Sequence, residues 1–326
     1  MLTPTWNRAA YIERVWNGLI SQTSKTFEWI VADDGSSDET EKVVRDLAAK
    51  SDFPVVLIQA STHIGKIRMD NEAVAHARGD FILWCDSDDY LLPNAIERLL
   101  HAWQSIPSES CDDYVGITAL CATSDGVIVN PFANLKHMDV SWNDLAAVHG
   151  VTADMLFLSR ASAMKAHPFP EVDLVIPESV VWTALGDKKA RLIPEVLKVI
   201  EYGAAHCISF SGQMAYNRGR AYALATTVKH LRRYPLSWKS RWWRLITFLR
   251  YSKHGELGIR ETMRLWGDNS SRLAFWLSLP LAWVIAATDE FQGKVNKTHR
   301  EFLQANRSVQ IVVERLGNAS PADVAP

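Results

Sequence analysis

The chain has 326 residues, which is enough for one large domain or two. Its hydrophobic content of 48% is normal for a globular protein, and its four cysteines have neither a disulfide-scaffold nor a zinc-site spacing, which favours a reduced intracellular protein. The net charge of −2 is unevenly distributed, because residues 202–255 contain ten Lys or Arg and no Asp or Glu. The opening residues lack the basic and then apolar pattern of a secretory signal peptide, so we expect a cytoplasmic protein.

The first 125 residues alternate strand-like and helix-like segments. Short apolar runs predict strands in "LTPTW" (2–6), "FEWIVA" (27–32), "PVVLIQA" (54–60) and "DFILWC" (80–85). Apolar residues at helical spacing predict helices in residues 9–22, 39–50, 65–77 and 93–103. This alternation predicts an α/β fold of the Rossmann-like kind, with a mostly parallel sheet and helices on both faces.

The rest of the chain has a different character. Residues 114–200 mix further strand-like runs with one short helix, and long helix-like segments rich in Trp and Arg follow residue 215. We therefore predict an α/β domain in residues 1–210, a basic and tryptophan-rich helical region in residues 211–316, and a disordered tail in residues 317–326.

Two acidic clusters directly follow predicted strands. "DDGSSDET" begins with Asp33 and Asp34, and "DSDD" contains Asp86, Asp88 and Asp89. A turn with helix-capping residues explains either cluster without any function. Carboxylates this close together beside an apolar strand need a positive partner, however, and Mg²⁺ or Mn²⁺ bridging to phosphates supplies one. Because the ligand crevice of such a sheet lies at the carboxyl ends of its strands, the clusters predict a metal–diphosphate site.

Nucleotide-binding glycine motifs do not occur in the chain. Neither GxGxxG nor GxxxxGK[ST] is present, so a Rossmann dinucleotide site and a P-loop are poorly supported. The segments "TPTWNRAAYIERVWNGLISQTSKTFEWIVADDGSSDET" (3–40) and "GKIRMDNEAVAHARGDFILWCDSDDYLLPNAIERL" (65–99) instead resemble the inverting family-2 glycosyltransferases, which have the GT-A fold. The resemblance is close over residues 2–105, the nucleotide-sugar half, and looser over an acceptor half that ends near residue 210. It implies metal-dependent transfer of a sugar from a nucleotide-sugar, most often a UDP-sugar, to a hydroxyl group.

The resemblance also assigns roles to residues near the nucleotide. The segment that lines the nucleotide base is matched by Pro4, Thr5, Asn7 and Arg8. Asp34 matches an aspartate that reads the uracil ring, and Asp33 supports its turn. Lys66 matches a residue near the nucleotide or its diphosphate.

The same comparison of motifs assigns the metal ligands. Asp86 and Asp88 match the DxD motif, in which the first aspartate contacts the ribose and the last holds Mn²⁺ or Mg²⁺; we count Asp86 among the metal ligands as well. Asp89 is a second candidate ligand, because some family members align their metal-binding aspartate there. A further metal contact cannot be placed by motif, and His206 is a candidate for it.

The catalytic base is expected in "VIPESVVWTALG" (175–186). An inverting transfer requires a carboxylate that takes the proton of the acceptor hydroxyl. The segment resembles the part of the family that carries this base, with Glu178 as the base and Trp182 beside the acceptor, and Asp173 is the alternative base. Glutamate is also favoured in any first helical turn by the helix dipole, so the role of Glu178 depends on the resemblance.

The basic end of the chain predicts contact with a membrane surface. Residues 229–254 contain eight Lys or Arg, three Trp and no acid, which fits either a solvated basic face or a helix on an anionic membrane. The uncharged run 273–287 is too short to span a bilayer and contains Pro280, so it predicts a buried or interfacial helical hairpin. We expect residues 229–290 to contact the inner face of the cell membrane, and a glycan or lipid-linked acceptor. No nucleic-acid-reading motif is present, so nucleic acid is not expected as a partner.

Three other functions compete with glycosyl transfer. "DSDD" resembles the aspartyl nucleophile of phosphotransferases, but Tyr90 stands where those enzymes have Thr or Val. A two-component receiver domain also has paired acids at strand ends, but it is shorter and requires a lysine on a late strand. The third alternative is an inactive family member that serves as a scaffold or binding subunit.

Overall fold

The structure is a computed structural model that describes residues 1–129, 136–149, 151, 154–201, 216–230, 234–235, 237–267, 272–295 and 309–316. The chain divides into two compact units, and their bounds differ from a single boundary after residue 210. The first contains residues 1–168, 185–205 and 308–326, and the second contains residues 169–184 and 206–307. The predicted tail, 317–326, and His206 lie outside the described residues.

The strands of the first unit form two sheets. They are β1 (Leu2–Thr5), β2 (Trp29–Asp33), β3 (Val55–Ala60), β4 (Phe81–Leu83), β5 (Tyr90–Leu91), β6 (Tyr114–Thr123), β7 (Met138–Ser141), β8 (Met155–Arg160), β9 (Lys189–Ile200) and β10 (Ile311–Leu316). One sheet has the order β1-β2-β3-β10, and the other has the order β4-β8-β6-β9-β5 with β7 paired to β9. A parallel bridge between Leu2 and Trp84 joins β1 to the end of β4.

The predicted α/β class is confirmed, but the sheet is mixed and not mostly parallel. Strands β1, β2 and β3 pair in parallel, as predicted for the first hundred residues. In the second sheet only β6 and β9 are parallel neighbours, and β4, β6 and β8 are antiparallel. Parallel neighbours require long crossover connections, usually helices, and the strand-like runs after residue 114 are not separated by long helices.

Helices cover both faces of the first sheet. The helices of the first unit are α1 (Ile12–Ile20), α2 (Thr40–Ala48), α3 (Lys66–His76), α4 (Ala95–Gln104), α5 (Trp142–Ala147) and α6 (Ala161–Ala166). Because side chains alternate along a strand, Trp29 and Val31 join the core that contains α1, α2 and α4, whereas Ile30 lies on the other face. That other face is where α3 packs against β1, β2 and β3.

Strand β10 lies within residues 211–316, which were predicted as a helical region. Residues Ile311–Leu316 pair antiparallel with β3. Arg45 of α2 reinforces the pairing, because its Nη1 and Nη2 each lie 2.9 Å from a carboxylate oxygen of Glu314. The physical reason is the edge of the sheet: β3 would otherwise present unpaired backbone groups, and β10 covers them.

The second unit is helical, as predicted. Its helices are α7 (Ser179–Leu185), α8 (Asn217–His230), α9 (Trp238–His254), α10 (Ile259–Trp266) and α11 (Arg272–Phe291). Phe248, Trp266 and Phe275 lie at the centre of their shared core. The prediction of a hairpin in residues 273–287 is wrong, because α11 is a single helix of 20 residues with Pro280 inside it. A proline removes one backbone hydrogen bond, and the packing of one side of α11 on this core keeps the helix continuous.

Candidate active site

Asp34 ties together the ends of three strands. Its Oδ1 accepts hydrogen bonds from the backbone amides of Ile64 (2.6 Å) and Gly65 (3.0 Å), in the loop that leads from β3 to α3. Its own amide donates to the carbonyl oxygen of Thr5, at the end of β1, over 2.9 Å. Only 3% of Asp34 is exposed. The carboxylate therefore fixes the shape of this edge, and its contact with a uracil ring stays a prediction.

The turn after β2 is held by Asp33 and Asn7. Asp33 Oδ1 accepts hydrogen bonds from the amide and the hydroxyl of Ser36. The Ser36 hydroxyl in turn accepts a hydrogen bond from the backbone amide of Asn7 over 2.8 Å. The backbone amide of Ser37 donates to the side-chain Oδ1 of Asn7 over 2.8 Å. Burial raises the pKa of Asp33 despite these Ser36 hydrogen bonds, which act in the opposite direction. Asp33 thus makes the contacts that a residue supporting the turn should make.

Pro4 and Thr5 position the site from within β1. Both are buried in the strand, so they shape its end and do not present side chains to solvent. The exposed residue of this segment is Trp6, with 40% of its surface accessible. Its ring stacks on His63 at a centroid distance of 4.2 Å, and His63 Nδ1 lies 2.9 Å from Asp34 Oδ2. Sequence analysis missed Trp6 and His63, although an aromatic residue directly after a strand that ends at the crevice was a usable signal.

The loop after β4 carries the DSDD cluster. The backbone amide of Cys85 donates to the carbonyl oxygen of Leu2 over 3.0 Å, which holds the start of the loop against β1. Asp86 is exposed, and the side chain of Asp88 is 13% exposed. Arg8 is a cation close to Asp88, and its Nη2 lies 3.9 Å from Asp88 Oδ2. Burial, followed by the charge of Asp86, raises the pKa of Asp88, so this carboxylate lacks full compensation of its charge.

Asp89 is committed to a buried lysine. Its Oδ2 accepts a hydrogen bond from Lys198 Nζ over 2.9 Å, and its Oδ1 accepts from the Glu201 amide over 3.2 Å. Asp89 and Lys198 are 5% and 7% exposed. Burial raises the pKa of Asp89 to about 6, against the opposing effect of Lys198. Burial acts to lower the pKa of Lys198, but the surrounding acidic groups, Asp89 first, outweigh it and raise that pKa, so the lysine stays charged at neutral pH.

This pair gives Asp89 a structural role. Both of its oxygens accept hydrogen bonds from groups of the chain, which anchors the loop to β9, and its role as a second candidate metal ligand stays a prediction. Sequence analysis missed Lys198, although a single lysine inside the apolar run of β9 was a signal for a buried charge. Lys198 thus supplies part of the positive charge that the three neighbouring carboxylates need.

Asp86 and Asp88 fit a divalent metal ion together with a diphosphate. Within the described parts of the chain, no three His, Cys, Asp or Glu side chains converge as a complete set of metal ligands. Mg²⁺ and Mn²⁺ sites that bind phosphates often use one or two carboxylates and complete their coordination with phosphate oxygens and water. The raised pKa of Asp88 indicates a site that favours added positive charge, so the residues present fit such an ion.

Lys66 lies beside the strand that leads to the DSDD cluster. It is the first residue of α3, and its Nζ donates to Asp70 Oδ2 over 2.9 Å. The same Nζ lies 5.6 Å from the centroid of the Trp84 ring, two residues before Asp86. Its predicted role near the diphosphate stays a prediction.

Glu178, Trp182 and Asp173 belong to the second unit. Glu178 is exposed, and its carbonyl oxygen accepts hydrogen bonds from the amides of Val181 (3.0 Å) and Trp182 (3.3 Å), which places it directly before α7, at the N-terminal end of that helix. Asp173 is buried, and its Oδ2 accepts the Gly219 amide in the first turn of α8 over 3.0 Å. Asp173 thus has a structural role at the start of α8, and the roles of Glu178 as base, Asp173 as alternative base and Trp182 beside the acceptor stay predictions.

Gly35 allows a testable prediction about this edge of the sheet. Its φ is +67°, and a Cβ atom there would lie 2.3 Å from the carbonyl carbon of Thr62. We expect Gly35→Ala to lower the free energy of unfolding by about 2–5 kcal/mol, because backbone strain and a backbone clash add. Gly126 is the matched control: its φ is +84° but no atom lies within 4 Å of the added Cβ, so Gly126→Ala should cost only about 1–2 kcal/mol. Urea unfolding of both variants measures the difference, and equal losses would contradict the close approach.

Known proteins resemble the first part of this chain. Residues 1–114 match the family model described as Glycosyl transferase family 2. The chondroitin synthase of Pasteurella multocida is 34% identical over 163 residues, which are 50% of this chain and 16% of that protein. The GalNAc(5)-diNAcBac-PP-undecaprenol beta-1,3-glucosyltransferase of Campylobacter jejuni is 32% identical over 100 residues, 31% of this chain and 32% of that protein. The chain therefore spans a third or less of the length of these curated relatives.

A solved structure extends the likeness of the fold beyond the family match. The crystal structure of S. aureus TarS 1-349 in complex with UDP-GlcNAc covers 90% of this chain and 82% of that chain, with a TM-score of 0.58 and 16% sequence identity. The fold is therefore that of the GT-A glycosyltransferases. Residues 1–114 are thus similar to glycosyl transferase family 2 both by the family model and by the relatives, which confirms the resemblance found in the sequence.

Proposed function

We propose that the protein is a metal-dependent, inverting glycosyltransferase that moves a sugar from a UDP-sugar to a hydroxyl group of a glycan or lipid-linked acceptor. One observation carries the donor half of this proposal. The ends of β1, β2 and β4 meet at one edge, where the exposed Trp6 ring, the buried Asp34 and the carboxylates of Asp86 and Asp88 are held. An exposed aromatic ring at the same edge as the carboxylates of Asp86 and Asp88 suits a ligand with a flat base at one end and a metal-bound diphosphate at the other.

The residues of this edge divide the binding of such a donor between them. Trp6, supported by His63, offers a surface on which a base can stack. Arg8, whose Nη2 lies 3.9 Å from Asp88 Oδ2, can bind the phosphates through its guanidinium group. Asp86 and Asp88 would hold Mn²⁺ or Mg²⁺, whose chemistry here is to neutralise the charge of a leaving diphosphate.

Glu178 is proposed as the general base. The acceptor oxygen forms a bond to the anomeric carbon as the bond from that carbon to the diphosphate oxygen breaks, which inverts the configuration. Glu178 takes the proton of the attacking hydroxyl, and Trp182, one turn along α7, flanks the acceptor. An exposed carboxylate directly before a helix is accessible for this step.

The relatives support the proposed classes of substrate. The names of the two curated relatives specify a polysaccharide synthase and a transferase for an undecaprenol-linked glycan, and the solved neighbour was crystallised with UDP-GlcNAc. These names favour a UDP-sugar donor and a glycan or lipid-linked acceptor for this chain too.

Calorimetric titration with UDP, in the presence and absence of Mn²⁺, tests the donor site. We expect Mn²⁺ to tighten UDP binding about 5- to 150-fold, the usual range of coupling between two ligands. Asp88→Asn should remove most of this gain, and Asp139→Asn, which changes an aspartate paired with Arg191 in the same unit, should leave it unchanged. Absence of UDP binding under both conditions would overturn the assignment of Asp34 and the donor class. UDP binding without sugar transfer would instead favour the scaffold alternative.

A further inference from the structure

Helix α11 exposes an apolar side along its length. A single stripe of the helix, which includes Phe275, Ala282 and Ala286, packs on the core of the second unit. The opposite side carries Leu273, Trp276, Leu277 and Val284, and Leu277 is 71% exposed. Monomeric soluble proteins seldom expose large apolar side chains in a continuous row, and such rows mark sites that bind partners or membranes.

Helix α9 lies beside α11 and also exposes large apolar side chains. Trp242 Nε1 donates to Ser278 Oγ over 3.1 Å near the beginnings of α9 and α11, and His254 Nε2 lies 3.0 Å from Asp289 Oδ2 near their ends. The two helices therefore lie side by side and run in the same direction. Trp238 and Trp243, both largely exposed, consequently lie at the same end as the exposed side chains of the first turns of α11. We call these exposed residues, with those of α11 named above, the α9–α11 surface.

Most charged residues of α9 and α11 are positive, and the two acids, Asp289 and Glu290, lie at the end of α11. Helix α9 contains five Lys or Arg and no acid, and the first 17 residues of α11 contain Arg272 and no acid. Lys253 Nζ lies 5.3 Å from the centroid of the exposed Trp283 ring. Asp289, near the end of α11, is bound by Arg250 and His254. This charge is local, because the whole protein has a net charge of −2.

We propose that the α9–α11 surface binds an anionic lipid bilayer and lies flat in it at the depth of the headgroups. Tryptophan rings prefer this depth, since their apolar body and N–H group suit the two sides of the interface. Lysine and arginine around an apolar surface add attraction to anionic headgroups. The combination of exposed Trp and Leu with Lys and Arg thus matches a membrane surface in both hydrophobicity and charge.

Two other occupants fit the α9–α11 surface less well. By length and composition, α11 is long and apolar enough to cross a membrane. A crossing would separate Asp289 from Arg250 and carry a carboxylate toward the hydrocarbon, at a high cost. A second copy of the chain would bring two α9 helices of the same positive charge together, which is unfavourable.

Flotation of the full chain with vesicles tests the proposal. Vesicles of phosphatidylcholine are compared with vesicles that also contain phosphatidylglycerol, at low and at high salt. We expect flotation with the anionic vesicles, weakened by salt, and much less with the neutral ones. Leu277→Glu should lower the partition coefficient about tenfold or more, because an apolar contact is lost and a negative charge is added. Val148→Glu, at an equally exposed apolar residue of the first unit, should leave it unchanged.

A second pair of variants tests the charge separately. Lys239→Glu on α9 should weaken flotation, whereas Lys42→Glu, at an exposed lysine of α2, should not. Circular dichroism checks that each variant is folded, and Leu273→Glu replaces Leu277→Glu if the latter does not fold. The proposal is overturned by any of three results: no flotation with anionic vesicles, flotation that survives both high salt and alkaline carbonate as a membrane span would, or a soluble dimer that Leu277→Glu dissociates.

Discussion

Replacing Glu178 with glutamine is expected to lower kcat about 10²- to 10⁴-fold while the affinity for UDP stays the same. Glutamine keeps the size and hydrogen-bonding reach of the side chain but cannot take a proton from the acceptor. Because Glu178 is exposed and lies directly before α7, we expect the exchange to leave the fold intact. Initial rates of sugar transfer, with UDP release as the readout, measure the loss, and calorimetry measures the UDP affinity.

Glu171→Gln is the matched control for this experiment. Glu171 is an exposed glutamate of the same segment of the second unit, so its exchange removes the same charge at a nearby position. We expect near-normal kcat for Glu171→Gln. A Glu178→Gln enzyme with normal kcat would show that another group takes the proton, and equal losses in both variants would indicate an effect of net charge.

Replacing Lys198 with methionine is expected to lower the free energy of unfolding by about 3–5 kcal/mol. Methionine has a similar length and fits an apolar strand, but it leaves the buried Asp89 carboxylate without its ammonium partner at 2.9 Å. The loss is large because burial, and not attraction between exposed charges, determines the cost of the isolated carboxylate. Urea unfolding followed by circular dichroism measures it.

Two further variants separate the ion pair from other effects. Lys189→Met changes an exposed lysine at the start of the same strand, and it should alter the free energy of unfolding by less than about 0.5 kcal/mol. Asp89→Asn combined with Lys198→Met should recover part of the stability, because no isolated charge remains. If Lys198→Met were as stable as the natural chain, the buried pair would not be what holds the DSDD loop to β9.

The local patterns of the first hundred residues predicted the elements around the donor edge well. The alternation of apolar runs and helical spacing is a local property, and it identified β1 to β4 and α1 to α4. The same logic failed where a distant partner decides the outcome. Residues 311–316 are a strand because β3 offers an edge some 250 residues earlier, with Glu314 and Arg45 separated by 269 positions. Pro280 predicted a break in α11, but packing on the helical core keeps that helix continuous.

The candidate site shows the same division between local and distant information. Asp34, Asp86 and Asp88 stand out as acids directly after apolar strands, and the structure brings the ends of these strands together. Lys198 is 109 residues from Asp89, and His63 stacks on a tryptophan that lies on a different strand end. No local pattern links such pairs, so the commitment of Asp89 to Lys198 could not be read from "DSDD" alone.

The pairing of β10 with β3 has a consequence for how the chain is made. Residues 206–307 of the second unit lie between β9 and β10 in the sequence, so the first sheet gains its edge strand only after that whole helical insertion has left the ribosome. Until then β3 offers an open edge, which is the kind of surface through which nascent chains pair with one another. The time needed to synthesise residues 206–307 is therefore the period in which the nascent chain is most prone to aggregate. Faster folding of the helices would not shorten this period, because the edge of β3 stays open until β10 has been synthesised.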